Sequence, residues 1–323
     1  MTTVASLITE HPSGITAIDA EYLRPRLDAA HLIVRDGRAA FVDTGTTWSV
    51  PGLLAALDYK GIPRDTVDYI LCTHVHLDHA GGAGSLARAL PDARVVVHPR
   101  GARHLADPAK LIAGSVAVYG QARFDALYGE IVPIPEARLH SPADGETLLL
   151  GKSVLELIHT PGHALHHYCV IDRDARAIFS GDTFGISYRE TDSPQGAFIF
   201  PTTTPVQFDP PALHASVDRL LAYQPESIYL THYSRITEIN KLGRDLHARI
   251  DGSVRIAVKH AKSPQRTRDI EDEMFDWLCE ELDGHGSALT RDERRALLWG
   301  DVELNTQGLE VWLDKRDKPA RPT

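Results

Sequence analysis

The sequence is short of features that would place it in several common protein classes. It has only 3 cysteines among 323 residues, too few for a disulfide framework, so we expect a reducing compartment. It has no excess of basic residues, because 34 Lys and Arg stand against 44 Asp and Glu and the formal net charge is -10. An acidic chain lacks the positive surface that nucleic acids and anionic membranes attract. We therefore expect no nucleic-acid partner, and a nuclease activity is disfavoured.

Long apolar runs are missing as well. No stretch approaches the ~20 apolar residues that span a bilayer, and the first ten residues lack the basic and apolar regions of a secretory signal. These absences predict a cytoplasmic protein with no membrane partner. The hydrophobic content of 43% and the charged content of 24% are typical of a globular protein with a sizeable core.

The order of predicted elements indicates an α/β (α+β) fold. Predicted strands at 14–19, 30–34 and 39–43 surround a hairpin signal at Asp36-Gly37, and helices then alternate with strands as far as residue 98. Two or three short helices are expected between 99 and 130, followed by hairpins at 146–159 and 167–180. Charged residues make up 32 of the last 85 positions but 46 of the first 238. We expect a catalytic domain at 1–238 and an α-helical extension at 239–323 that packs on it.

The strongest chemical signal is the segment Thr73-His74-Val75-His76-Leu77-Asp78-His79, which directly follows a predicted buried strand at 67–72. Neutral imidazole nitrogens and carboxylate oxygens are ligands for first-row transition metals. Further donors follow later predicted strands, namely His163 in a Thr-Pro-Gly-His turn, Asp182 in a Gly-Asp step, and His232. The recurrence of donors at strand ends predicts a metal site assembled from distant segments.

This order of ligands resembles the metallo-β-lactamase superfamily, in particular its binuclear, glyoxalase II-like hydrolase branch, over residues 15 to about 235. The resemblance implies a four-layer αβ/βα sandwich with the metals at one edge, between two sheets. It also implies the ligands of each ion: His74, His76 and His163 for the first, Asp78, His79 and His232 for the second, and Asp182 as the bridge.

The chemistry that the resemblance implies is hydrolysis. Two divalent ions per chain, with zinc favoured and iron or manganese as alternatives, would lower the pKa of a shared water from ~15.7 toward ~7. The resulting hydroxide would attack the carbonyl carbon of a thioester, ester or lactone. Asp78 is expected to orient the nucleophile or to pass a proton to the leaving group.

The small-molecule substrate is less well defined. Glyoxalase II enzymes anchor glutathione with a lysine soon after the bridging aspartate, yet residues 183–240 contain no lysine, which weakens a glutathione thioester. Acyl-homoserine lactonases have a tyrosine three residues after that aspartate, where this chain has Gly185, which weakens a lactone. Aromatic and cationic residues close to the ligands in sequence are the candidate substrate contacts, namely Phe184, Tyr188, Phe198, Phe200, Tyr233 and Arg235. A homodimer is an open option.

Other interpretations of the same motif differ in reaction class. The main alternative is a mononuclear iron oxidoreductase of the same fold, such as a persulfide dioxygenase. A flavodiiron relative is disfavoured because that branch typically has Glu at the position of His76. A non-catalytic binding module is disfavoured because all seven ligand positions are filled.

Overall fold

A computed structural model describes residues 4–203 and 206–317, except for the side chains of residues 118 and 119. Its strands are β1 Ile8–His11, β2 Ile15–Asp19, β3 Ala29–Arg35, β4 Arg38–Val42, β5 Val67–Cys72, β6 Arg94–Val97, β7 Leu139–His140, β8 Glu146–Leu150, β9 Ser153–His159, β10 Tyr168–Asp172, β11 Ala177–Gly181, β12 Ser227–Leu230 and β13 Ser234–Ile236. Its helices are α1 Val4–Leu7, α2 Val50–Lys60, α3 Leu77–Ala80, α4 Ala83–Ala89, α5 Pro99–Ala106, α6 Ala109–Tyr119, α7 Gln121–Tyr128, α8 Pro210–Ala222, α9 Ile239–His260, α10 Arg266–Gly284 and α11 Arg291–Arg316.

By compactness the described chain divides into two units. The first comprises residues 4–159, 166–181 and 225–237, and the second comprises 160–165, 182–203, 206–224 and 238–317. The second unit is helical and contains α8 to α11. The domain boundary expected at residue 238 stays a prediction.

The first unit contains two mixed sheets. In the seven-stranded sheet β1 to β4 are antiparallel, and β4 to β7 run parallel to one another. The six-stranded sheet has the order β13-β12-β11-β10-β9-β8, in which only β11 and β12 are parallel. With its flanking helices and the C-terminal helical region, this architecture confirms the predicted sandwich fold.

Two hydrophobic cores hold the sheets in place. One lies between the sheets and includes Val42 and Leu71 from the first and Leu157 and Phe179 from the second. The other lies on the opposite face of the first sheet, where α2, α4 and α5 contribute apolar side chains. Residues 39–42 of β4 and 70–72 of β5 are buried and apolar without interruption, which is why the sequence predicts these strands well.

Local signals explain several element boundaries. The β3–β4 hairpin turns through Asp36 and Gly37, whose φ angles are both positive (48° and 77°), as a two-residue turn of this kind requires. Helix α8 begins after Asp209, whose carboxylate accepts from the backbone N–H of Ala212 at 3.1 Å. Strands β1, β7 and β13, which have only two to four residues, were not predicted. In the described part of the chain, no helix has the length and apolar character that crossing a membrane requires.

Candidate metal centre

The histidine-rich loop follows strand β5 and turns at once into helix α3. Strand β5 ends at the same edge of the sheet as its parallel neighbour β4. His74 and His79 are buried, while the side chain of Asp78 is 24% exposed. Nε2 of His74 lies 2.9 Å from Nδ1 of His76. The loop therefore brings two imidazole nitrogens close enough together to bind the same transition-metal ion.

A buried carboxylate behind the loop orients its side chains. Asp43, directly after β4, accepts from the backbone N–H of Thr73 at 2.8 Å and from the hydroxyls of Thr73 and Thr231, each at 2.9 Å. Nδ1 of His79 lies 3.0 Å from the same carboxylate. A carboxylate at Nδ1 favours the Nδ1–H tautomer and leaves the Nε2 lone pair for a metal.

His232 is held in the same way where the chain leaves β12. Its Nδ1 lies 2.5 Å from Oδ1 of Asp28, which is fully buried. Burial raises the pKa of Asp28 to about 6, and the adjacent His232 opposes that rise. Nε2 of His232 and Nε2 of His79 each lie 3.8 Å from Oδ2 of Asp78. Ligand atoms of Asp78, His79 and His232 all lie within 4.8 Å of one another, so these three side chains converge.

The second unit contains a pair of potential donors of its own. His163 and Asp182 are buried, and Nε2 of His163 lies 3.4 Å from Oδ2 of Asp182. Nδ1 of His163 lies 3.3 Å from the carbonyl oxygen of Thr202, so it can donate there and leave Nε2 for a ligand. The preceding Gly162 has a φ of 133°, and a Cβ on it would lie 2.3 Å from Cα of Leu213. The Thr-Pro-Gly-His turn therefore needs glycine both for its backbone conformation and for close packing.

Four of the six predicted substrate contacts lie in the second unit and are buried there. Phe184 is fully buried, and Phe200 packs against Tyr188 and Phe198 with ring centroids 6.0 and 6.3 Å apart. The hydroxyl of Tyr188 donates to Oδ1 of Asp301 at 3.2 Å. These contacts are those of a packed interior, and a substrate role for the four residues stays a prediction.

The other two predicted substrate contacts lie in the first unit. Tyr233 is buried in a small cluster with Ala17 and Ala29. Arg235 is partly buried on β13, opposite Tyr229 in the antiparallel pairing with β12. Their role in substrate binding also stays a prediction.

The residues that sequence reasoning missed are the carboxylates behind the histidines. Asp43 carried one usable signal, because it is an acidic residue at the end of a buried strand. Asp28 lies in a loop without a recognisable motif, and its partner His232 is more than 200 positions away. Only the folded chain shows that pairing.

A family model described as the metallo-beta-lactamase superfamily matches residues 24–232, a range that contains all seven predicted ligands. A metallo-beta-lactamase fold-containing protein of Sulfurisphaera tokodaii is 26% identical over 212 residues, which are 64% of this chain and 73% of that protein. A hydroxyacylglutathione hydrolase of Acidiphilium cryptum is 29% identical over 62% of each chain. An acyl-coenzyme A thioesterase of Gallus gallus, MBLAC2, is 32% identical over 41% of this chain and 46% of its own. The matches to the two enzymes therefore span less than two thirds of their lengths.

Among solved structures, a metallo-beta-lactamase family protein from Thermus thermophilus superimposes with a TM-score of 0.65 over 94% of both chains. Its sequence identity to this chain is 19%. At that identity the likeness concerns the fold alone.

Proposed function

The chain belongs to the metallo-beta-lactamase superfamily, and from that premise we propose that it is a binuclear hydrolase that cleaves the acyl bond of a thioester, ester or lactone. At the coarser level it is a metal-dependent hydrolase. The observation that carries the proposal is the convergence of Asp78, His79 and His232 within the first unit, where His74 and His76 also bring two imidazole nitrogens close together.

The donor set fits divalent transition ions. It combines imidazole nitrogens with carboxylates, whereas calcium and magnesium sites in proteins are built from oxygen donors. By the family resemblance, one ion would be held by His74, His76 and His163 and the other by Asp78, His79 and His232, and Asp182 would be a ligand of both. When bound, such a pair of ions supplies a hydroxide nucleophile at neutral pH and a counter-charge for a developing oxyanion.

The chain's own residues orient the donors and bury most of them. Asp43 and Asp28 lie at Nδ1 of His79 and His232, which places the hydrogen of each neutral ring on Nδ1 and leaves the Nε2 lone pair for a ligand. Asp78 differs from His79 and His232, the two donors that it faces, because 24% of its side chain is exposed, against 0% and 8% of theirs. A carboxylate that both faces the two Nε2 atoms and reaches solvent can take a proton from an attacking water and deliver it to the leaving group. We therefore assign Asp78 the proton-transfer role.

Thioesters are the first substrates to test. The names of two relatives, hydroxyacylglutathione hydrolase and acyl-coenzyme A thioesterase, both describe thioester cleavage. The missing lysines at 183–240 argue against glutathione as the thiol part. An acyl thioester with another thiol carrier is the substrate class that these observations favour.

The experiment measures metal content and hydrolysis on the same preparation. Protein purified without added metal is assayed by mass spectrometry for bound metal, and against acyl-CoAs, glutathione thioesters, lactones and nitrocefin. We expect two transition-metal ions per chain and thioester hydrolysis. Asp182→Asn should lower both metal content and rate, whereas His140→Gln, which changes a partly exposed histidine paired with Glu146, should lower neither. One iron per chain without hydrolysis of any acyl substrate would overturn the proposal in favour of the oxidoreductase.

A further inference from the structure

A second group of histidines and aspartates lies in the helical unit, on helices α8 and α9. Each helix carries a histidine followed four residues later by an aspartate, which are His214 and Asp218 on α8 and His247 and Asp251 on α9. Residues four apart lie on the same face of a helix. We call these four residues the α8–α9 cluster, and the proposed hydrolytic reaction makes no use of it.

The two pairs are linked crosswise between the helices. Nε2 of His214 lies 3.0 Å from Oδ1 of Asp251, and Nε2 of His247 lies 3.1 Å from Oδ1 of Asp218. The two Nδ1 atoms face each other at 2.6 Å, with the ring planes only 11° apart. The imidazole rings therefore lie between two carboxylates, one at each outer end.

The positions of the hydrogen atoms follow from the partners. An ionised carboxylate can only accept, so each Nε2 must carry the hydrogen that it donates to an aspartate. A neutral imidazole then has a lone pair at Nδ1. Two lone pairs 2.6 Å apart repel each other unless a cation lies between them. The arrangement therefore requires either a shared proton or a metal ion.

Charge and access favour the metal ion. Two neutral imidazoles and two carboxylates carry a formal charge of −2, which a divalent ion balances and a single proton does not. Both histidine side chains are about one quarter exposed, so an ion can reach them from solvent. A carboxylate at the outer nitrogen of a ligating imidazole is the usual support for a metal-binding histidine, and the same arrangement holds His79 and His232 in the candidate metal centre.

We propose that His214 and His247 bind a divalent transition-metal ion of the zinc class through their Nδ1 atoms, with Asp251 and Asp218 orienting the two rings. Water completes the coordination, and the ion fastens α8 to α9. Two Zn–N bonds of about 2.0 Å at a tetrahedral angle place the nitrogens about 3.3 Å apart. The rings must therefore separate by about 0.7 Å from their present 2.6 Å, which small side-chain rotations on two helix surfaces provide.

The test counts zinc on the metal-loaded protein. Wild type and the double variant His214→Gln/His247→Gln are equilibrated with buffered Zn²⁺, and bound zinc and the thermal unfolding midpoint are measured. Wild type should bind one more zinc per chain than the double variant. Between zinc-free and micromolar Zn²⁺ buffers, the midpoint of wild type should rise by at least about 2 °C more than that of the double variant, which keeps the candidate metal centre. The double variant should lack only this additional rise and should hydrolyse substrate at the wild-type rate, so this outcome is separable from a failure of the proposed function.

His260→Gln is the matched control. His260 lies on the same helix α9 and pairs with the carboxylate of Glu273 at 2.5 Å, but through a single imidazole. The His260→Gln variant should bind as much zinc as wild type. A measurement without variants uses diethyl pyrocarbonate on wild type, where Zn²⁺ should slow modification of His214 and His247 at least tenfold and leave His260 unchanged. Equal zinc content in wild type and the double variant, or no protection of the pair, would show that a proton lies between the rings and would overturn the proposal.

Discussion

The most informative substitution in the first unit is at Asp43, because one buried carboxylate holds three parts of the candidate metal centre. It accepts from Thr73 through both the backbone N–H and the hydroxyl, from the hydroxyl of Thr231, and from Nδ1 of His79. Replacement by alanine and by asparagine should separate its structural contribution from its effect on the histidine.

Asp43→Ala should destabilise the fold. The two threonine hydroxyls can rotate toward other acceptors, but the N–H of Thr73 and the Nδ1–H of His79 are fixed in direction and buried. Each buried donor that loses its acceptor costs about 1–3 kcal/mol, so we expect a loss of about 2–6 kcal/mol in the free energy of unfolding. At about 2–4 °C per kcal/mol, the midpoint of thermal unfolding should fall by at least about 4 °C.

Asp43→Asn should act mainly on the metal. The amide has nearly the same shape, so the fold is largely kept, but one of its two terminal atoms is now a donor. That NH₂ group cannot accept from Nδ1–H of His79, which favours the other tautomer, with the hydrogen on Nε2. An imidazole protonated at Nε2 cannot ligate through that atom, and losing such outer partners typically lowers metal affinity 10–100-fold.

Both variants are assayed by thermal unfolding after chelator treatment, by zinc titration with a competing chromophoric chelator, and by thioester hydrolysis at saturating zinc. Thr231→Val is the graded control, because it removes one of the four hydrogen bonds and leaves the carboxylate on His79. We expect it to lose less than about threefold in affinity. If Asp43→Asn bound zinc as tightly as Thr231→Val, the role of Asp43 in setting the tautomer of His79 would be refuted.

Three further substitutions test single features of the structure. Gly162→Ala should lower both the unfolding midpoint and the metal content, because the added Cβ would lie 2.3 Å from Cα of Leu213; normal metal content would contradict this. Tyr188→Phe should lower the midpoint by about 3–6 °C through loss of the bond to Asp301 and leave KM unchanged, and a raised KM would instead indicate a substrate contact. Burial lowers the pKa of His98 from 6.5 to about 4. Between these two pH values His98 is protonated in the unfolded chain and neutral in the folded chain, so the free energy of unfolding falls as pH drops from 6.5 toward 4. His98→Asn should reduce that fall in an unfolding series measured against pH, and an unchanged pH dependence would contradict the assignment.

The sequence predicts those parts of the fold whose signals are local. Continuous apolar runs identify β5 and its neighbours, and the capping residues Asp209 and Thr290 mark where α8 and α11 begin. The ligand positions are predicted for the same reason, because each donor directly follows a recognisable strand. Strands β1 and β13 were missed because they are short segments at sheet edges, and sheet pairing rather than composition makes them strands.

Such local signals do not predict contacts between residues that are far apart in the sequence. Asp28 and His232 meet only because the six-stranded sheet, which contains β12, packs on the seven-stranded sheet. No periodicity in either segment predicts this contact. Likewise an aromatic residue near a ligand in sequence can face a substrate or a core. The full burial of Phe184 and Phe198 could not be read from their positions.

Asp43 also connects the metal centre to the packing of the two sheets. Asp43 follows β4 and Thr73 follows β5 of the first sheet, and Thr231 follows β12 of the second sheet. A single carboxylate therefore holds the ends of strands from both sheets at the edge where the histidines lie. The hydrophobic core between the sheets fixes how far apart those strand ends can be. Metal affinity should consequently depend on residues of that core, such as Leu71 and Tyr229. Any change in the separation of the sheets alters the distance from Asp43 to Thr231, and through Asp43 it alters the position of His79.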